Sequence, residues 1–217
     1  MNTFVQLLFQ VPILLITLTI HEFSHGLVAY FLGDDTAKRA GRLTLNPVSH
    51  IDPIGLLMLF LVHIGWAKPV PINPYNFRNY KRDTALTAAA GPVSNFLMAI
   101  LLSLLFAVIK GLNPNLLNYG SLLSQFLISM LLYAILINLA LGIFNLIPIP
   151  PMDGSKILGG FLSDEAYYKY TAREKEGAQI LLLIFAVSYI FRLNLIGAII
   201  MPPLNFFMKL LTGISIP

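Results

Sequence analysis

FVQLLFQVPILLITLTIHEFSHGLVAYFL, residues 4–32, is the stretch that decides the fold. It is long enough to cross a bilayer, which takes about 20 predominantly apolar residues, yet it contains His21, Glu22 and His25. Ionisable groups at that depth cost on the order of several kcal/mol unless they are paired or metal-bound. The H-E-x-x-H spacing supplies a reason for them. At about 100° per residue, positions i and i+4 share one helix face a turn apart, so both imidazoles can ligate a single Zn2+. Glu22, beside the first ligand, is then placed to act as a general base toward water. Counting the rise from Phe4, His21 lies about 25 Å along the helix, near one end but still below the headgroups.

The rest of the composition agrees with a membrane setting. Of 217 residues, 57% are hydrophobic and 11% charged, with a mean hydropathy of +0.76, where a soluble domain carries about a quarter charged residues. Met1 to Gln10 contains no basic residue and the apolar run continues past any cleavage site, so the first helix is expected to remain in the mature protein. Absence of cysteine excludes disulfides and thiolate ligands and restricts a zinc site to His, Asp and Glu. The net charge of +4 and pI near 9.3 do not point to nucleic acid, because the basic residues are spread over short loops rather than gathered on one face.

Apolar runs at 4–32, 84–109 and 122–147 each exceed the spanning length. The run 54–66 is too short and reads as a re-entrant segment, while 178–191 and 195–211 are two further short helices, the second interrupted by Pro202-Pro203. The expectation is an all-α polytopic membrane protein with about five transmembrane helices. If 54–66 dips and returns, Lys38, Arg39, Arg42, Lys68, Arg78, Lys81, Arg82, Lys156, Lys169, Arg173, Lys175 and Lys209 share one side, and only Lys110 and Arg192 face the other. The positive-inside rule makes the rich side cytoplasmic, with the N-terminus outside and the C-terminus inside. Residues 38–47 alternate polar and apolar around Gly41 and predict a small β-hairpin on that cytoplasmic side, whose edge could pair with an extended substrate. Residues 163–177 predict a surface helix. The whole chain, 1–217, reads as one membrane domain, with a catalytic core over 1–160 and a C-terminal portion over 161–217.

Catalytic zinc takes three protein ligands and leaves a position open. Candidates for the third are His50, His63, Asp52, Asp153, Asp164 and Glu165. Asp153 stands out: Asn145-Leu146-Ile147-Pro148-Ile149-Pro150-Pro151-Met152-Asp153-Gly154 closes the 122–147 helix with three prolines, whose extended path can swing a carboxylate back toward the first helix. Asp153-Gly154 read alone is an ordinary turn. His50 and His63 read as structural, with His63 in the dip near the zinc cavity as a substrate or outer-sphere alternative. Gly91-Pro92 either kinks its helix or permits close approach, and Asn95, one turn on, could satisfy the freed carbonyl or support a metal ligand.

These separated motifs together resemble the site-2 protease family of intramembrane zinc metalloproteases. His21-Glu22-Phe23-Ser24-His25 is similar to its zinc-binding helix, Asn145 through Gly154 to its second signature, Gly91-Pro92-Val93-Ser94-Asn95 to a pattern on the intervening helix, and Gly65 through Asn73 to a re-entrant segment of prokaryotic members. The resemblance covers about residues 3–160. It implies His21, His25 and Asp153 as ligands of one Zn2+, Glu22 as general base, and Asn145 as a residue that holds substrate or stabilises the oxyanion. It implies hydrolysis of a peptide bond in or beside a transmembrane segment of a membrane-anchored substrate, in a prokaryotic inner membrane. The larger members' extra helix, PDZ module and C-terminal sensing domain have no counterpart in these residues. Two other classes compete. A divalent-metal transporter would spread polar residues through several spans, whereas 101–109 and 131–137 are almost uninterrupted apolar runs. An inactive relative would not be expected to keep Glu22.

Overall fold

A computed structural model describes residues 3–62, 65–112 and 121–216. Its helices are α1 (Thr3–Phe31), α2 (Thr36–Arg39), α3 (Pro53–Val62), α4 (Tyr80–Leu112), α5 (Leu122–Asn145), α6 (Asp153–Phe161), α7 (Asp164–Thr171), α8 (Glu174–Ile190) and α9 (Leu195–Thr212). Helix α4 is the hub and packs against α1, α5, α6 and α9.

Its inner face explains why. Ala88, Gly91, Asn95, Ala99, Ser103 and Phe106 are buried and recur every three or four residues. Most are small, which lets neighbouring backbones approach as they do between membrane helices. Phe106 fills the space between Ile128, Ile135 and Leu139 on α5 and Leu204 and Met208 on α9. The opposite face exposes Leu97, Leu101, Leu104, Leu105 and Val108, a stripe whose favourable surroundings are hydrocarbon. Four helical segments, Phe9–Phe31, Tyr80–Leu112, Leu122–Asn145 and Leu195–Thr212, are long and apolar enough to cross a bilayer. The chain is an integral membrane protein.

Several expectations change at the element ends. Helix α5 stops at Asn145 rather than 147, since Pro148 disfavours helical geometry in the residue before it. Helix α9 runs unbroken through Pro202 and Pro203, as membrane helices tolerate when neighbours cover the freed carbonyls. Helix α8 has only 17 residues and begins at Glu174.

The hairpin expected over 38–47 does not form. Lys38 and Arg39 close the helical turn of α2, Gly41 adopts φ +65°, and Pro47–His50 is a 3-10 turn whose first amides are met by Asn46, with Val48 N donating to Asn46 Oδ1 at 3.1 Å. Alternation over so few residues found no ladder partner, and Pro47 has no N–H to offer one. Among the described residues there is no strand, only one isolated antiparallel bridge between Ile51 and Ala67. That bridge, with Lys68 N donating to His50 O at 2.9 Å, returns the chain to its point of entry after α3.

From there residues 68–73 run as an extended strap across the inner end of α1 and end in a 3-10 turn, Pro74–Asn76. Asp34, fully buried just past α1, ties it down: Oδ2 accepts from Asn73 N and Oδ1 from Asn76 Nδ2, both at 2.7 Å, while Thr36 donates through its N and Oγ1. Burial alone would push the Asp34 carboxyl up, but the bonds from Thr36, Asn73 and Asn76 hold it below the ordinary carboxylate range. A group with a depressed folded pKa stabilises fully above its unfolded value of about 3.9 and loses that contribution as pH falls through the folded value. Asp34→Asn turns an amide donor on donors, so we expect about 1–3 kcal/mol of destabilisation at neutral pH. Thermal unfolding in detergent should show that deficit at pH 7 and a smaller one below about pH 4. An equal deficit at both pH values would remove the carboxylate from the account.

Candidate metal centre

The last three turns of α1 project His21 and His25 onto one face, as their spacing requires. Both are buried, at 4% and 7% exposure. Across from them, the chain leaving α5 turns through its prolines and restarts as α6 with Asp153 in the first turn. The turn needs glycine next, because a Cβ on Gly154 would strike the backbone carbonyls of Leu146 and Ile147. Asp153 Oδ2 thereby lies 3.2 Å from both His21 Nε2 and His25 Nε2, and the two Nε2 atoms are 3.0 Å apart.

Hydrogen bonding decides which way those nitrogens face. His25 Nδ1 donates to the Thr87 carbonyl at 2.7 Å, which leaves Nε2 with its lone pair inward in the neutral ring. For His21 the argument starts further off. The Ala134 carbonyl can only accept, so Asn138 Nδ2 donates to it, at 2.8 Å, and also to Thr17 Oγ1 at 3.1 Å. Asn138 Oδ1 then accepts from Asn95 Nδ2 at 3.2 Å, and Asn95 Oδ1 is left to accept from His21 Nδ1 at 2.6 Å. A chain of amides through α4 and α5 thus sets the tautomer of a residue on α1, and both Nε2 lone pairs meet the carboxylate oxygen.

Three electron-pair donors at 3.0–3.2 Å repel one another unless a cation lies among them. A tetrahedral zinc with bonds of about 2.0–2.1 Å separates its ligand atoms by about 3.3 Å, close to this triangle. Among the described residues, His21, His25 and Asp153 are the cluster of three side chains that could hold a metal.

The other sequence candidates are occupied elsewhere. His50 Nε2 donates to Thr44 O at 2.9 Å, Asp52 caps α3 through Ile54 N and Gly55 N, and Asp164 and Glu165 pair with Lys81 and Lys169. His63 lies outside the described residues.

A cavity of about 350 Å³ opens beside the triangle, lined in part by Glu22, Asn145, Val70 and Lys156. Glu22 Oε2 accepts from Val70 N at 2.9 Å. Pro69 and Pro71 have no N–H, so Val70 is the sole donor in that three-residue run, a contact that the Lys68-Pro69-Val70-Pro71 pattern hinted at but did not disclose. Asn145 Nδ2 donates to Leu141 O at 3.0 Å, which spends one of its two N–H groups.

The match to known proteins is clear. The model of "Peptidase family M50" matches residues 114–190. YwhC of Bacillus subtilis, named as a zinc metalloprotease, is 37% identical over 173 residues, covering 79% of this chain and 77% of its own length. The chain belongs to peptidase family M50. Rip2 of Mycobacterium tuberculosis, also named as a zinc metalloprotease, is 30% identical to this M50 peptidase over 184 residues, or 80% of this chain and 64% of Rip2. No solved structure matches it. The M50 peptidase is a zinc metalloendopeptidase of the membrane, and the donor triangle fits the metal its relatives are named for.

Proposed function

We propose that this M50 peptidase hydrolyses a peptide bond within or beside a transmembrane segment of a membrane-anchored substrate, with His21, His25 and Asp153 as the ligands of one zinc. The observation that carries this reading is the buried triangle of donor atoms at 3.0–3.2 Å opening on a cavity that Glu22 also lines. Zinc held there supplies Lewis-acid polarisation of the substrate carbonyl and lowers the pKa of a water. Glu22, with Oε2 fixed by Val70 N–H, uses its free oxygen to take the proton from the attacking water and hand it to the leaving amine. Asn145 retains one N–H for the developing oxyanion or the substrate backbone. Because helical hydrogen bonds shield a scissile carbonyl, the substrate unwinds locally before it is cut.

In the membrane, α3 dips and returns, α8 is an additional and the shortest crossing, and the distribution of basic loops favours a site toward the cytoplasm, with the N-terminus outside. The 1–160 portion forms the catalytic core and 161–217 the wall beside it.

Asp153→Ala tests the ligand set. Zinc content of the purified protein should fall at least tenfold, and cleavage of a tethered transmembrane substrate should vanish with it. Undiminished zinc would move the third ligand elsewhere; zinc flux through liposomes by a wild-type protein that cleaves nothing would replace proteolysis with transport.

A further inference from the structure

A second cavity, of about 260 Å³, adjoins the zinc cavity and shares Pro74, Thr84, Lys156 and Glu174 with its lining. Three phenols, Tyr80 from α4 and Tyr167 and Tyr170 from α7, form much of its remaining wall, with Pro150, Ser155 and Thr171. The rings of Tyr80 and Tyr167 stand edge to face, with centroids 6.2 Å apart and an interplanar angle of 83°. The wall is held in place. Tyr170 Oη donates to Pro148 O at 2.9 Å, fastening α7 to the proline turn that carries Asp153, and Lys81 on α4 bonds the Leu162 carbonyl and Asp164 at the other end of α7.

We infer that this tyrosine-lined cavity is a specificity subsite, which receives an aromatic side chain of the substrate flanking the scissile bond. The inference rests on the peptidase reading above. Three arguments favour an aromatic guest. Aromatic rings prefer edge-to-face and offset packing with other rings, and Tyr80 and Tyr167 already define one such arrangement with an open volume beside it. The neck carries both Lys156 and Glu174, neither of which makes an ion pair among the described residues, so opposite charges face the opening and no net charge selects a charged guest. Burial, the Tyr80 phenol and Glu174 push the Tyr167 hydroxyl up to about 12, which leaves the wall neutral, with a phenol that can accept from the N–H of a Trp or bond the hydroxyl of a Tyr. Transmembrane segments carry Trp and Tyr where they meet the membrane interface, so a substrate unwound at that depth presents this kind of side chain to the cavity.

The experiment uses the full chain in proteoliposomes with a tethered substrate carrying Trp, Phe, Lys or Ala in turn at each position flanking the scissile bond. Wild type should prefer an aromatic residue over alanine roughly tenfold in kcat/KM at one position. Tyr167→Ala and, independently, the cavity-filling Thr171→Trp at an exposed position should bring that ratio near one while alanine substrates are cut as before. Lysine outranking the aromatics, or an aromatic preference untouched by both variants, would overturn the subsite. A binding arm separates this from the peptidase reading. The chain has no cysteine, so Thr171→Cys in a Glu22→Gln background carries a lone thiol that should cross-link to a thiol-bearing substrate more efficiently when the flanking residue is aromatic. Cross-linking with that preference but no wild-type cleavage removes the peptidase reading and keeps the subsite; cleavage with equal cross-linking does the reverse.

Discussion

Gly91→Ala is expected to empty the proposed zinc site. The Cβ it adds would lie 2.5 Å from His21 Cε1 and 2.6 Å from His21 Nε2, and closer still to His25 Nε2, inside the separations that nonbonded atoms accept. Neither side can yield. Helix α4 is held at that point by Asn95 on His21 and by the Thr87 carbonyl on His25, and Pro92 next to Gly91 is fully buried. Moving either imidazole breaks the bond that sets its tautomer, so the lone pairs leave the triangle along with the ring. Losing a supporting contact to a ligand commonly costs about 10–100-fold in metal affinity, and displacing two ligands together should exceed that. Metal analysis of the purified variant should show little zinc, and cleavage of a tethered substrate should disappear. Gly111→Ala, which meets nothing within 4 Å on the same helix, is the control. A Gly91→Ala protein with full zinc and activity would mean that α4 does not press on the histidines.

Glu22→Gln keeps the zinc and loses the reaction. Glu22 is not one of the three donors of the triangle, His21, His25 and Asp153, so zinc content should match wild type. The amide oxygen of glutamine can still accept from Val70 N–H, which keeps the strap in place. What it cannot do is carry a proton from water to the leaving amine. General acid–base catalysis contributes about 10²–10⁴-fold, and turnover of the tethered substrate should drop by about that factor with substrate binding little changed. Turnover near that of wild type would remove Glu22 from the proton path. The pair of variants is informative together, since one would separate the proposed site from its metal and the other the metal from its proposed base.

Much of this was legible from spacing and hydropathy. The expected spans 84–109 and 122–147 correspond to α4 and α5 because long apolar runs have one solution in lipid, a helix with its backbone bonds made internally. Asp153 stood out from Asp52 and Asp164 through the prolines before it, which constrain the backbone without long-range information, and its role as a ligand was implied by the resemblance of Asn145 through Gly154 to the family's second signature. The hairpin expectation failed because alternation over 38–47 is a local signal, and a strand needs a partner that no local signal supplies. Val70 was missed for a related reason: its contribution is a backbone N–H, which every residue but proline has, and only its neighbours Pro69 and Pro71 hinted that it stood alone.

By itself the sequence determined that the chain lives in a membrane, that two histidines and a glutamate share a helix near one end of a span, and that a proline-broken segment ends in an aspartate. These are consequences of composition and of helical periodicity, which a linear string records. Only the tertiary structure decided that Gly91 leaves room for two imidazoles, that Thr17, Asn138 and Asn95 form a chain of amides and a hydroxyl reaching His21, and that Asp34 and Glu22 hold a strap arriving from far along the chain. Each of these depends on groups distant in sequence meeting within about 3 Å, and hydrogen-bond direction and steric exclusion fall off too steeply with distance to be read before the helices are packed.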